Sequence, residues 1–77
     1  MTEKEYEAKD RALHATFYGA MRAVEDTLEK IDASSVKYED VRLILQACHA
    51  ARKARRAWAN NTKDYKRAKS AAAVGRV

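Results

Sequence analysis

Apolar and polar positions along the chain fall into two long helical repeats separated by one short break. From Tyr6 onward, Leu13, Phe17, Ala20, Val24, Leu28 and Ile31 recur at spacings of three, four or seven, which is the period of one helix face. Thr2 followed by Glu5 is a capping-box pattern, and acids at positions 3, 5 and 7 suit the positive end of a helix dipole. Glu5 with Lys9, and Glu7 with Arg11, stand four apart in the favourable order. A first helix is therefore predicted over about residues 3–32. Asp32-Ala33-Ser34-Ser35 breaks the pattern with short polar side chains that compete for backbone hydrogen bonds, and Ser34 or Ser35 is expected to cap the next helix. The period returns with Val41, Ile44, Cys48, Ala51, Trp58, Tyr65 and Ala72, behind Glu39 and Asp40 in the first turn. That predicts a second helix over about residues 36–70, with a frayed tail over 71–77.

Two long helices joined by a short loop pack antiparallel by default. The expected fold is all-α: one domain over residues 1–77, an antiparallel helical hairpin. Composition changes this picture in one respect. Leu, Ile, Val and Phe number only twelve, whereas Ala alone numbers sixteen, so the core of a single chain is thin. A domain of this size needs a staple. The chain's one cysteine excludes an internal disulfide and fits a reducing setting. Self-association is the expected staple, giving a homodimeric four-helix bundle. No run approaches the ~18 apolar residues of a membrane span, and the start, Met1-Thr2-Glu3-Lys4-Glu5, has no leader character. A cytoplasmic location and no membrane partner are expected.

Charge is the most informative global property. Residues 1–40 carry six basic and ten acidic groups, net −4, whereas residues 41–77 carry ten basic groups and Asp64 alone, net +9. Such asymmetry implies an acidic partner, or two halves lying against each other. An antiparallel hairpin does set Glu3, Glu5, Glu7 and Asp10 near Lys63, Lys66, Arg67 and Lys69. At 100° per residue, Leu43, Ile44, Ala47, Ala50, Ala51, Ala54, Ala57, Trp58, Tyr65, Ala68 and Ala72 fill a broad apolar arc of the second helix. Its alanines at 47, 50, 54 and 57 would let another helix approach closely. Phe17, Val24, Leu28, Ile44, Ala47, Ala50, Ala54, Trp58 and Tyr65 are the expected core and dimer residues.

The opposite face reads Arg42, Gln46, His49, Lys53, Arg56, Asn60, Lys63, Arg67 and Ser70, with Arg52 and Lys66 beside it. It holds no carboxylate along about 42 Å of helix at 1.5 Å per residue. Ordinary solvated faces mix signs, as Lys4, Glu7, Arg11, Arg22, Glu25 and Glu29 do on the first helix. A stripe of one sign is an electrostatic footprint that attracts phosphates. Arg42, His49, Arg52, Lys53, Arg56, Lys63 and Arg67 are the candidate partner-binding residues. The expected partner is nucleic acid or an acidic protein surface. In size and expected architecture, such a hairpin dimer resembles the Rop family of plasmid RNA-binding regulators, which implies RNA as one candidate ligand. The alternative is an inhibitor or adaptor of the kind phages and mobile elements encode, occluding a host enzyme, transcription factor or defence complex.

Several side chains invite chemistry without supporting it. Trp58 and Tyr65 lie on the apolar arc and read as core. Tyr18, beside Gly19, is a candidate interface anchor. Cys48 and His49 diverge by 100° and do not share a ligand sphere, and His14 pairs nearer to residue 55 than to 48. The sequence has no carboxylate pair, phosphate loop or nucleophile elbow. A catalytic role, a metal, a cofactor and a small-molecule substrate are not expected.

Overall fold

The computed structural model describes residues 2–74. Two helices account for nearly all of them: α1 spans Glu3–Glu29 and α2 spans Tyr38–Val74. No strand is present among the described residues. Thr2 caps α1 as its pattern predicts, its Oγ1 accepting the Glu5 N–H at 3.2 Å.

The connector starts earlier and runs longer than the apolar period predicts. α1 ends at Glu29, not near 32, because the last turn tightens: the Ile31 N–H reaches the Leu28 carbonyl at 3.3 Å. Asp32 then organises a turn of its own. Its Oδ1 accepts both the Ser34 hydroxyl (2.7 Å) and the Ser34 N–H (3.0 Å), and its carbonyl accepts the Ser35 N–H at 3.0 Å. Ser34 is thereby committed to Asp32 and does not cap α2. That role falls to Asp40, whose Oδ2 reaches back to the Lys37 N–H at 3.0 Å, so α2 begins two residues later than predicted. At its far end α2 continues to Val74, past the expected fraying at Ala71, in an alanine-rich stretch of high helix propensity. The rest of the predicted tail, 75–77, lies outside the described residues.

The helices pack antiparallel along a regular seam. Along the seam the buried and half-buried positions on α1 are Tyr6, Asp10, Leu13, Phe17, Ala20, Val24 and Thr27, with Ile31 just beyond its end and His14 half-buried at the seam edge. On α2 they are Asp40, Ile44, Ala47, Ala51, Ala54, Trp58, Asn61 and Tyr65, with Cys48 and Thr62 half-buried at the seam edge. Both sets alternate steps of four and three, the heptad spacing of a coiled coil. Tyr6 stacks on Tyr65, ring centroids 4.1 Å apart and planes within 9°. Stepping along both helices from that pair sets Asp10 level with Asn61, Leu13 with Trp58, Phe17 with Ala54, Val24 with Ala47, and Thr27 with Ile44. Among the described residues, two hydrogen bonds cross the seam: Trp58 Nε1–H donates to Asp10 Oδ1 at 2.7 Å, and the Tyr6 and Thr62 hydroxyls pair at 3.4 Å. Thr27 sits in the seam because its hydroxyl donates to the Ala23 carbonyl at 2.7 Å, within its own helix.

Four polar seam residues, Asp10, Thr27, Asp40 and Asn61, were not on the predicted apolar faces. Conversely, Leu28 falls just off the seam and is 51% exposed, although its spacing placed it with the core. Ala50 is likewise exposed. Ala47 and Ala54 are taken up by α1, so the alanine edge predicted to admit another helix is not continuous: only Ala50 and Ala57 of those four are exposed.

Candidate functional site

The outer face of α2 lies on the far side from the seam, and the seam itself puts it there. With positions 44, 51, 58 and 65 turned toward α1, the residues two places before each, Arg42, His49, Arg56 and Lys63, must point outward at 3.6 residues per turn. Gln46, Lys53, Asn60 and Arg67 form a second outward row beside them. All seven predicted partner-binding residues, Arg42, His49, Arg52, Lys53, Arg56, Lys63 and Arg67, are exposed. From Arg42 to Arg67 the stripe runs roughly 38 Å along a single helix, without a break in it.

The structure groups these residues unevenly. His49, Arg52, Lys53 and Arg56 border one shallow hollow on successive turns, which makes it the densest cluster on the stripe. A second, open hollow of about 610 Å³ lies alongside, bordered by Arg42, Leu45, Gln46, Cys48, His49 and Arg52, and its walls are largely apolar. Lys63 and Arg67 continue the line beyond Arg56, about two and three turns further on. The antiparallel packing sets the acidic and basic ends side by side, Glu3 and Lys69 bordering one groove with Tyr65. Asp10 is diverted from that pairing, because its carboxylate receives the Trp58 indole instead.

The chain matches no protein-family model, no curated protein and no solved structure. The functional reading therefore rests on what these residues can do physically. A convex, cationic ridge is suited to charge recognition along a line: Arg offers paired N–H donors to phosphate or carboxylate, and Lys a mobile point charge. Among the described residues no group of three or more His, Cys, Asp or Glu side chains is placed to hold a metal ion, and no helix is long and apolar enough to cross a membrane. Cys48 is half-buried at the seam edge while His49 is exposed, the divergence their adjacency predicts.

Trp58 is the centre of the seam rather than a stacking platform for bases. Its ring lies 4.6 Å from His14 and 5.9 Å from Phe17. Tyr18, the candidate anchor, is 60% exposed with its ring edge-on to His14 at 4.4 Å. Sequence reading missed how much apolar surface joins it: Met21, Leu28, Val36, Tyr38, Val41, Leu43 and Leu45 are also exposed. The signal for this was present in the spacing of Tyr38, Val41 and Leu45, but only the helix register shows that most of these positions share a side.

Proposed function

We propose that this chain is a non-catalytic regulatory binding protein that works as a homodimeric four-helix bundle and engages a polyanion, in the first place nucleic acid, through the outer face of α2. The observation that carries this reading is the fully exposed, one-signed row from Arg42 to Arg67, with no carboxylate from Val41 to Lys63. Ordered phosphates along a strand or groove would meet Arg52, Lys53 and Arg56 first, then Lys63 and Arg67. Such binding is dominated by counterion release and carries no sequence preference of its own.

Gel retardation with duplex DNA, hairpin RNA and single strands at several salt concentrations tests it. With five or six phosphate contacts, log K should fall against log salt with a slope of about −4.5 to −5.4 on duplex. Arg56→Glu combined with Lys63→Glu should lower affinity at least a hundredfold while leaving helical circular dichroism unchanged, because both side chains are exposed. Absence of retardation for every nucleic acid at low salt removes this reading.

A second reading, an inhibitor or adaptor of the phage or mobile-element type that occludes a host protein, is favoured by the second hollow. There Leu45 and Cys48 form an apolar floor between Arg42 and Arg52, a combination suited to an acidic protein surface. A protein that co-purifies after nuclease treatment, and is lost with Arg52→Glu, would select this reading over the first.

A further inference from the structure

The hairpin leaves one side of itself unfinished. In two antiparallel coiled helices, the positions flanking the seam on one side come from the same heptad place on both helices. On one side these are His14, Met21 and Leu28 of α1 with Val41, Cys48 and Arg55 of α2, and Leu28 stands level with Val41 and Met21 with Cys48. One step further out on that same side are Tyr18, Tyr38 and Leu45, with Arg11, Glu25, Arg52 and Lys66 in the same heptad place. Six of the eight large exposed hydrophobics thus share one side, and five of them, from Met21 and Leu28 to Tyr38, Val41 and Leu45, lie in the half nearer the turn. Tyr38 is 82% and Leu45 64% exposed. The other side of the hairpin carries Lys9, Thr16 and Ala23 against Ala50, Ala57 and Asp64, with Leu43 its one large apolar residue.

We infer that the apolar side is covered by a second copy of this chain, packed face to face about a two-fold axis parallel to the helices. Three observations select this occupant and this axis. The Cα trace measures 64 × 18 × 12 Å, a single layer of helices, whereas a stable domain needs two. The chain's accessible surface is 6636 Å², against roughly 4700 Å² for a compact monomer of 8.7 kDa, an excess larger than the ~800 Å² each partner gives to a standard interface. Charge then sets the orientation. α1 carries seven acidic and four basic residues, α2 nine basic and three acidic. An axis parallel to the helices lays the α1 of each copy over the α2 of the other, acidic on basic and antiparallel, with both turn ends together. The two apolar halves then coincide, and Glu29 comes level with Arg42 of the second copy. An axis across the helices would instead set α2 on α2, basic against basic.

This face differs from the alanine edge that the sequence suggests for a dimer. It leaves Arg42, His49, Lys53, Arg56, Lys63 and Arg67 on the outer edges of the bundle, with Arg52, in the same heptad place as Tyr38 and Leu45, at the rim of the covered face. It does not depend on what the outer cations bind, but by covering Leu45 and Cys48 it excludes a host protein from that hollow. Sedimentation velocity on the full chain, without nucleic acid, tests it. The wild type should sediment at twice 8.7 kDa, and Leu45→Glu and Met21→Glu should each sediment as single chains with helical circular dichroism retained. Ala57→Glu, on the other side, should remain dimeric. Should Leu45→Glu lose helicity, Leu45→Ala, which adds no charge, should still raise the dimer dissociation constant at least tenfold. A wild type that stays a single chain up to about 100 µM overturns the inference. So does a dimer that survives both glutamates, or one broken by Ala57→Glu alone, which would return the contact to the alanine side.

Discussion

Asn61 is 3% exposed, and among the described residues neither its Oδ1 nor its Nδ2 has a hydrogen-bond partner. The seam register sets it level with Asp10, whose carboxylate is already engaged by the Trp58 indole at 2.7 Å. A buried amide with no partner costs on the order of 1–3 kcal/mol, yet a polar residue at a coiled-coil seam also restricts which register the helices adopt. These two effects separate under substitution. Asn61→Leu should stabilise the hairpin by about 1–2 kcal/mol, which at this chain length raises the unfolding midpoint by several degrees. The same change should loosen the register, seen as broadened side-chain NMR signals around Trp58. A lowered midpoint in thermal melts would show that the amide is satisfied and stabilising. The neighbouring Trp58–Asp10 bond is its counterpart: a donor and acceptor that do find each other, fixing Trp58 against His14 and Phe17.

Both helices, the site of the break and the Thr2 cap were legible from spacing alone, because a 3.6-residue period and a capping side chain are local properties. Helix ends were less so. The apolar period ran through Ile31, but it could not show that Asp32 would tie down Ser34 and leave Asp40 to cap α2. The polar seam members were hidden for a different reason: a seam is defined by the partner helix, and Asp10 or Asn61 reads as surface until the opposite member of the pair is placed. The basic stripe was legible because it needs only one helix and one sign, whereas the apolar side needs two helices in register. The Asp32 turn can be tested directly. The Ser34 hydroxyl, and then the Ser34 N–H, hold the Asp32 carboxyl below its ordinary value of 3.8. A carboxylate whose folded pKa is depressed stabilises the fold above its unfolded value and loses that contribution as pH falls through the folded one. NMR titration should therefore place the Asp32 midpoint below 3.8, and Ser34→Ala, which removes the hydroxyl but keeps the N–H, should move it part of the way back. A midpoint at 3.8 in the wild type would mean that the turn is not formed in solution.

Across the whole molecule, the same cations that suit a polyanion work against the fold that displays them. Arg52 and Arg56, and Lys63 and Arg67, are like charges four apart on one helix face, and each such pair destabilises the helix by about 0.2–0.5 kcal/mol. With a net charge of +5 overall and +9 over residues 41–77, this self-repulsion is not offset by acids on the same face. Added monovalent salt screens it, so the unfolding midpoint of the free protein should rise between about 20 and 200 mM salt, given a Debye length that shortens to about 10 Å by 0.1 M. A bound polyanion should stabilise far more. Inorganic polyphosphate at about 100 times its dissociation constant would add about 2.7 kcal/mol, a rise of roughly 10 °C or more for a chain of this size. Salt acts on that increment with the opposite sign, because it competes for the same cations. The free protein should therefore melt higher in salt while the polyphosphate-dependent increment shrinks toward zero. Arg56→Glu with Lys63→Glu should melt higher than the wild type without polyphosphate and gain nothing from it. If the wild type gains nothing at about 20 mM salt either, where screening is weakest, the stripe is a solvated face and not a binding surface.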